Sequence, residues 1–199
     1  MSVVVEDGAE IGLRERKKQQ TREALHRAAV RLVAERGLAQ STIEDIAEAA
    51  DVSPRTFFNY FSTKESAVLG MHSEAAESVA RWLHDRPADE SPVEAVRASL
   101  RRYAETIAAD KEMWNLRRAV VHKEPSIFAA LAAASTALER RLAAALAERM
   151  GVDPEVDFRP TLLVSVTWAA IRVGMSHSRE HDISVSEAID EALEAFDDL

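Results

Sequence analysis

The chain has no cysteine, so neither a disulfide framework nor a thiolate site is available, and a reducing, cytoplasmic setting is expected. No apolar run approaches the length of a membrane-spanning helix, and no membrane partner is expected. There is no glycine-rich phosphate loop and no HExxH, and the six histidines are scattered. No side-chain set pairs a nucleophile with a base. These absences argue against an enzyme: no catalytic residue, resident metal or cofactor is expected. The opening MSVVVEDGAE is acidic with three consecutive valines, unlike a signal peptide, and residues 1–13 are expected to form a disordered tail.

What is present is a helical pattern with an uneven charge. Of the 199 residues, 47% are hydrophobic, enough for a sizeable core in one or two domains. The net charge of −9 at first argues against a polyanionic partner. Its distribution reverses that inference: residues 14–64 hold ten Lys/Arg against seven Asp/Glu, whereas residues 65–199 hold 15 against 24. A polyanion would therefore dock on residues 14–64.

Helix start and stop signals divide the chain into nine helices and no convincing strand, an all-α protein. A basic cluster, Arg14, Arg16, Lys17 and Lys18, leads into Gln19–Arg36, where Leu25, Ala28, Ala29, Leu32 and Val33 form an apolar stripe and Gly37 ends the helix. The cluster reads either as an arm on phosphates or as a solvated helix start. Thr42 caps a short helix carrying Ile43, Ile46, Ala47 and Ala50, and Ser53-Pro54 starts another running to Phe61. One long helix is expected from Lys64 to His84, stopped by Pro87. Ser91-Pro92-Val93-Glu94 opens the next as a capping box, to about Ala109. Asp110 caps Lys111 to Val121, and Pro125 restarts an Ala-rich helix closed by Gly151. A strongly apolar helix follows Arg159-Pro160 to about Arg179, and a second capping box at Ser184 opens the last, to Phe196.

The stretch TIEDIAEAADVSPRTFFNYFSTK, Thr42 to Lys64, organises the rest. On its second helix Phe57 and Phe61 point one way and are expected in the core. Arg55 and Asn59 lie opposite with Thr56 close by, flanked by Phe58 and Tyr60. An apolar anchor carrying a small polar face suits a helix presented to a DNA major groove. The run resembles the helix-turn-helix of TetR-family transcriptional regulators, with Thr42, Asp45, Ile46, Ala47, Ala50, Val52, Ser53, Thr56, Tyr60, Phe61, Lys64 and Val68 in register. Two departures stand out: Asp51 replaces the turn glycine, and Phe58 replaces the first of two tyrosines, without its phosphate-bonding hydroxyl. Aspartate tolerates a left-handed backbone, so the turn is expected to survive.

The resemblance implies a helix-turn-helix domain over 14–64 and a ligand-binding and dimerisation domain over 65–199. The DNA-contacting set is then Thr42, Ser53, Pro54, Arg55, Thr56, Phe58, Asn59, Tyr60 and Lys64, with Arg14, Lys17 and Lys18 on the approach. The last two helices carry more apolar surface than one partner needs, and pairing with a second copy in a four-helix bundle would bury it. A homodimer also suits a palindromic double-stranded operator, since one short recognition helix reads few base pairs. Trp82, Tyr103, Met113, Trp114, Phe128 and Trp168 concentrate in the middle helices with Arg117, Arg118, His122 and Lys123 nearby, and the resemblance implies that they enclose a small-molecule inducer. With Arg55-Thr56-Phe57-Phe58-Asn59-Tyr60-Phe61 and an Ala-rich helix ending in Arg149-Met150-Gly151, the chain also resembles, in its carboxyl region, the actinobacterial branch of mycofactocin-system regulators, which implies an amphiphilic or acyl-CoA-like effector. His177 and His181, flanking Glu180, leave open a metal-responsive regulator; an activator or co-repressor-dependent protein of the same fold would look the same. A pure interaction protein is disfavoured by the intact polar face around Arg55.

Overall fold

The computed structural model describes residues 12–70, 74–181 and 183–198, with backbone alone at 13–15, 74, 75, 179, 180 and 197. Residues 1–11 of the expected tail lie outside the described residues. Among those described there are ten helices and no strand. The chain forms two compact units, the first ending at Gly70 and the second beginning at Met71.

In the first unit, α1 (Leu13–Arg36) begins six residues earlier than Gln19, so the basic cluster is part of a helix. Arg, Lys and Gln are good helix formers and nothing between Gly12 and Gly37 breaks the run. Its expected stripe, Leu25, Ala28, Ala29, Leu32 and Val33, is buried, and Gly37 ends it at φ 81. Next comes α2 (Ile43–Ala49), opened by a reciprocal capping box: the Asp45 backbone N–H donates to Thr42 Oγ1 and the Thr42 N–H to Asp45 Oδ2, both at 3.0 Å. Asp51 takes φ 55, the left-handed turn expected of it. Ser53 and Pro54 start α3 (Pro54–Phe58), shorter than expected; turns to Phe57 O carry the chain through Tyr60 to Phe61.

The long helix expected from Lys64 to His84 is interrupted, which raises the count from nine to ten. A second capping box, Thr63 with Ser66, opens α4 (Lys64–Leu69), which Gly70 terminates in the left-handed region at φ 64. A side chain there would strain the backbone and bring its Cβ to 3.0 Å from the His26 ring. That ring is fixed in turn, its Nδ1–H donating at 2.8 Å to Ala67 O, the carbonyl that also accepts the Gly70 cap N–H at 3.1 Å.

The second unit holds α5 (Glu74–His84), α6 (Pro92–Ala108), α7 (Lys111–Lys123), α8 (Pro125–Met150), α9 (Arg159–His181) and α10 (Val185–Asp197), each within two residues of its expected end. The caps at Ser91, Asp110 and Ser184 form, and Gly151 closes α8 at φ 65. Leu83, Val96, Leu100, Leu138, Leu142, Leu146, Ile171 and Ile189 join one buried cluster drawn from five helices. Arg101 ties α6 to α10 through Asp190 and Ser186 Oγ at 2.7 Å, and pairs along α6 with Glu105 at 3.1 Å. The α9–α10 pair meets closely at Gly174, where a Cβ would lie 2.5 Å from Ala188 O.

Candidate functional site

The reading face is built outward from two phenylalanines. Phe57 is fully buried and Phe61 nearly so, their ring centroids 6.0 Å apart, which fixes the five-residue α3 by its side chains rather than by its length. With that side anchored, Arg55, Phe58 and Asn59 are exposed and Thr56 and Tyr60 half-buried. Phe58 sets its ring edge-on to Phe57 at 5.6 Å while remaining 58% exposed, an apolar surface beside the polar face. Ser53 does two things: its Oγ accepts the Thr56 N–H at 3.1 Å and lies 2.9 Å from Thr56 Oγ1. The two hydroxyls expected on DNA are thus already paired with each other, and Pro54 stands exposed at the first turn.

Thr42 and Lys64 carry structural duties as well. Thr42 is exposed but spends its hydroxyl and N–H in the capping box. The bond from the Thr42 backbone holds the Asp45 carboxyl below the usual carboxylate range, and the Thr42 hydroxyl and the charge of Arg36, 3.7 Å away, add to it. Lys64 Nζ donates to Leu38 O and Ser41 O, both at 2.8 Å, and so pins α4 to the loop that delivers Thr42. An ammonium has three donors, so one remains beyond these two bonds. Lys17 is exposed and Lys18 half-buried on α1, part of a helix instead of a free arm; the Arg14 side chain lies outside the described residues. Asp45 and Arg36 were not among the residues singled out for the site, although the Thr42-x-x-Asp45 spacing is a capping-box signal.

In the second unit the aromatics expected around an effector divide. Tyr103 and Trp168 are buried together, centroids 5.9 Å apart, and Met113 is buried on α7. Two cations stack on the remaining indoles: Arg117 lies 4.6 Å from the Trp114 ring and Arg102, which was not anticipated, 4.4 Å from Trp82. Phe128 stands apart, 58% exposed on α8. Burial drives the Arg117 guanidinium down to about 10, with the nearby Tyr103 opposing the shift, so the group stays cationic at neutral pH. Burial raises the Tyr103 phenol. Trp168 Nε1 is buried without a hydrogen-bond partner.

The His177 and His181 rings stack at 3.8 Å and His177 Nε2 faces Glu191 at 3.8 Å. Among the described residues no three His, Asp or Glu side chains converge as metal ligands, and the Glu180 side chain lies outside them. No helix is long and apolar enough to cross a membrane among the described residues.

Residues 25–69 match the family described as bacterial regulatory proteins, tetR family. Residues 90–198 match the family described as the MftR C-terminal domain. The HTH-type transcriptional regulator TcmR of Streptomyces glaucescens is 38% identical over 168 residues, 81% of this chain and 74% of that protein. The fold is similar to SmeT in its triclosan complex, 17% identical with a TM-score of 0.56, covering 88% of this chain and 90% of that one; SmeT comes from Stenotrophomonas maltophilia. A TerR/AcrR-family regulator from Aquifex aeolicus VF5 aligns with a TM-score of 0.55 at 14% identity, over 89% and 98% of the two chains.

Proposed function

Because this chain belongs to the TetR family of bacterial transcriptional regulators, we propose that it is a repressor that binds a palindromic operator as a homodimer and leaves it when a small amphiphile occupies the second unit. The observation that carries the DNA-reading part is the α3 face, where Arg55, Asn59 and Phe58 stand exposed on a helix anchored by buried Phe57. Arg55, at the start of that helix, is the base-edge contact, with the geometry to donate twice to a guanine. Thr42, Thr56, Tyr60 and the third donor of Lys64 hold phosphates and set the register. Lys17 and Lys18, from inside α1, add charge at the flank.

The dimer half of the reading is supported by apolar exposure on α9 and α10. Leu162 and Val173 are 51% and 63% exposed, eleven residues apart and so on one helical face, with Val166 and Ala169 between them; Phe158 and Phe196 are also exposed. A soluble monomer seldom leaves such a stripe uncovered, and two copies related by a two-fold axis would close it. An effector acts by preferring the dimer form whose reading heads no longer match successive major grooves, with a coupling of about 1–3 kcal/mol. An amphiphile suits the apolar and aromatic residues of the second unit, an acyl-CoA being one such compound.

The reading is tested by recovering a preferred duplex from a random library with the purified protein, then titrating dodecanoyl-CoA into the complex in a gel shift. Release of the duplex is expected. Tightening would make the protein a co-repressor-dependent regulator, and failure to select any duplex would refute the repressor altogether.

A further inference from the structure

We propose, resting on the reading of α3 as the operator-reading helix, that Phe58 selects a C5-methylated pyrimidine, thymine in ordinary DNA, within two base pairs of the guanine read by Arg55.

Phenylalanine has no polar side-chain atom, so Phe58 makes no hydrogen bond to a phosphate or a base edge, and whatever it adds to recognition is apolar contact. Lone exposed hydrophobic side chains are ordinary on a protein surface. What sets Phe58 apart is its placement. At about 100° per residue, the exposed Phe58, Arg55 and Asn59 fall within about 100° of arc, with Arg55 between the other two. A surface that takes up the Arg55 and Asn59 side chains therefore covers the ring as well. The ring also has a fixed wall to lean on: it stands edge-on to Phe57, centroids 5.6 Å apart and planes at 86°, and Phe57 is fully buried.

In the major groove, guanine, cytosine and adenine present hydrogen-bond donors and acceptors, and thymine adds the one apolar group, its C5-methyl. Set against any other edge, the ring would cover a donor or acceptor that it cannot pair, at the cost of the bond that group made to water. Against the methyl, apolar surface leaves water on both sides. Position follows from spacing. Side chains three apart on a helix stand about 5–6 Å from each other, between one and two base-pair rises of about 3.4 Å. The methyl therefore lies one or two base pairs from the guanine, on either strand. 5-Methylcytosine carries the same methyl and would be preferred over cytosine at that place.

Each thymine of the half-site recovered from a random library is replaced in turn, symmetrically in both half-sites, by deoxyuridine, which deletes the methyl and keeps the base pair and its hydrogen-bonding edge. Dissociation constants are read by competition gel shift on the full chain. At one thymine within two base pairs of the guanine whose preference Arg55→Ala relaxes, the wild type should lose about four-fold per half-site, or about fifteen-fold for the symmetric duplex. Phe58→Ala should bind the thymine duplex more weakly and no longer distinguish it from the deoxyuridine one. At the same position a 5-methylcytosine–guanine pair should bind more tightly than a cytosine–guanine pair. Thermal melts check that the variant is folded, and the wild-type thymine-to-deoxyuridine ratio needs no variant at all. A consensus without thymine in that interval, deoxyuridine duplexes that all bind as tightly as their thymine parent, or a penalty of equal size in Phe58→Ala would overturn the methyl assignment and leave operator reading by α3 standing. If no duplex is selected, the operator reading fails and the assignment falls with it.

Discussion

Replacing Lys64 by methionine removes the ammonium while keeping the length of the stem. In the structure two of its three donors reach Leu38 O and Ser41 O at 2.8 Å, in the loop that ends at Thr42. A hydrogen bond to a charged group contributes about 1.5–3 kcal/mol, and half-exposure places each of these near the lower end, so the loss of both should be about 3 kcal/mol. For a unit of this size that corresponds to a fall of roughly 12–24 °C in its melting temperature. Calorimetry reads the shift, and hydrogen exchange should show faster opening of the amides of α2 and α4. The remaining donor is assigned to a phosphate, so the slope of log affinity against log salt should also flatten by about one unit per half-site. An unchanged melting temperature would refute the reasoning that Lys64 holds the loop before α2, whatever happened to DNA binding.

Arg55→Ala should cost about 1–3 kcal/mol against the selected duplex and relax preference at one base position of each half-site; full discrimination by the variant in a competition gel shift would remove the base-edge assignment. Gly174→Ala places a Cβ 2.5 Å from a backbone oxygen of α10 that has no side-chain freedom to yield. The helices must part, at about 1–3 kcal/mol, and sedimentation should show a weaker dimer; an unaltered melt and dimer constant would contradict this. Asp45 has its carboxyl lowered by the Thr42 backbone bond, so its contribution is complete above its unfolded value near 3.8 and is lost as pH falls through the lower, folded one. Acid melts of Asp45→Asn should therefore converge with those of the wild type below about pH 4, and a constant gap down to pH 2 would count against the cap.

Much of the first unit was legible because its signals are local. The Thr42 and Ser53 caps, the left-handed Asp51 turn and the buried Phe57–Phe61 pair all depend on residues a few positions apart, where spacing alone predicts contact. The interruption at Gly70 is not visible in the sequence because a lone glycine within an apolar-periodic run is often tolerated, and the His26 ring that leaves little room for a Cβ there comes from 44 residues earlier. The basic cluster was misplaced for the opposite reason: no breaker separates it from α1, and the helix simply extends to Leu13. In the second unit, helix ends followed their caps, but the sorting of aromatics did not. Sequence distance cannot tell that Tyr103 meets Trp168 while Phe128, equally large and apolar, faces outward. Nor does a lysine reveal that its charge is held by carbonyls 23 and 26 residues away.

The central claim is that two copies of this chain read a two-fold-symmetric duplex through α3. Sedimentation of the purified protein with the duplex recovered from a random library, over a series of salt concentrations, tests it most directly. The account predicts an inverted-repeat consensus, two or a multiple of two protomers per duplex, and affinity that falls steeply as salt rises. A single protomer bound to an asymmetric site, or attachment indifferent to salt, would contradict it.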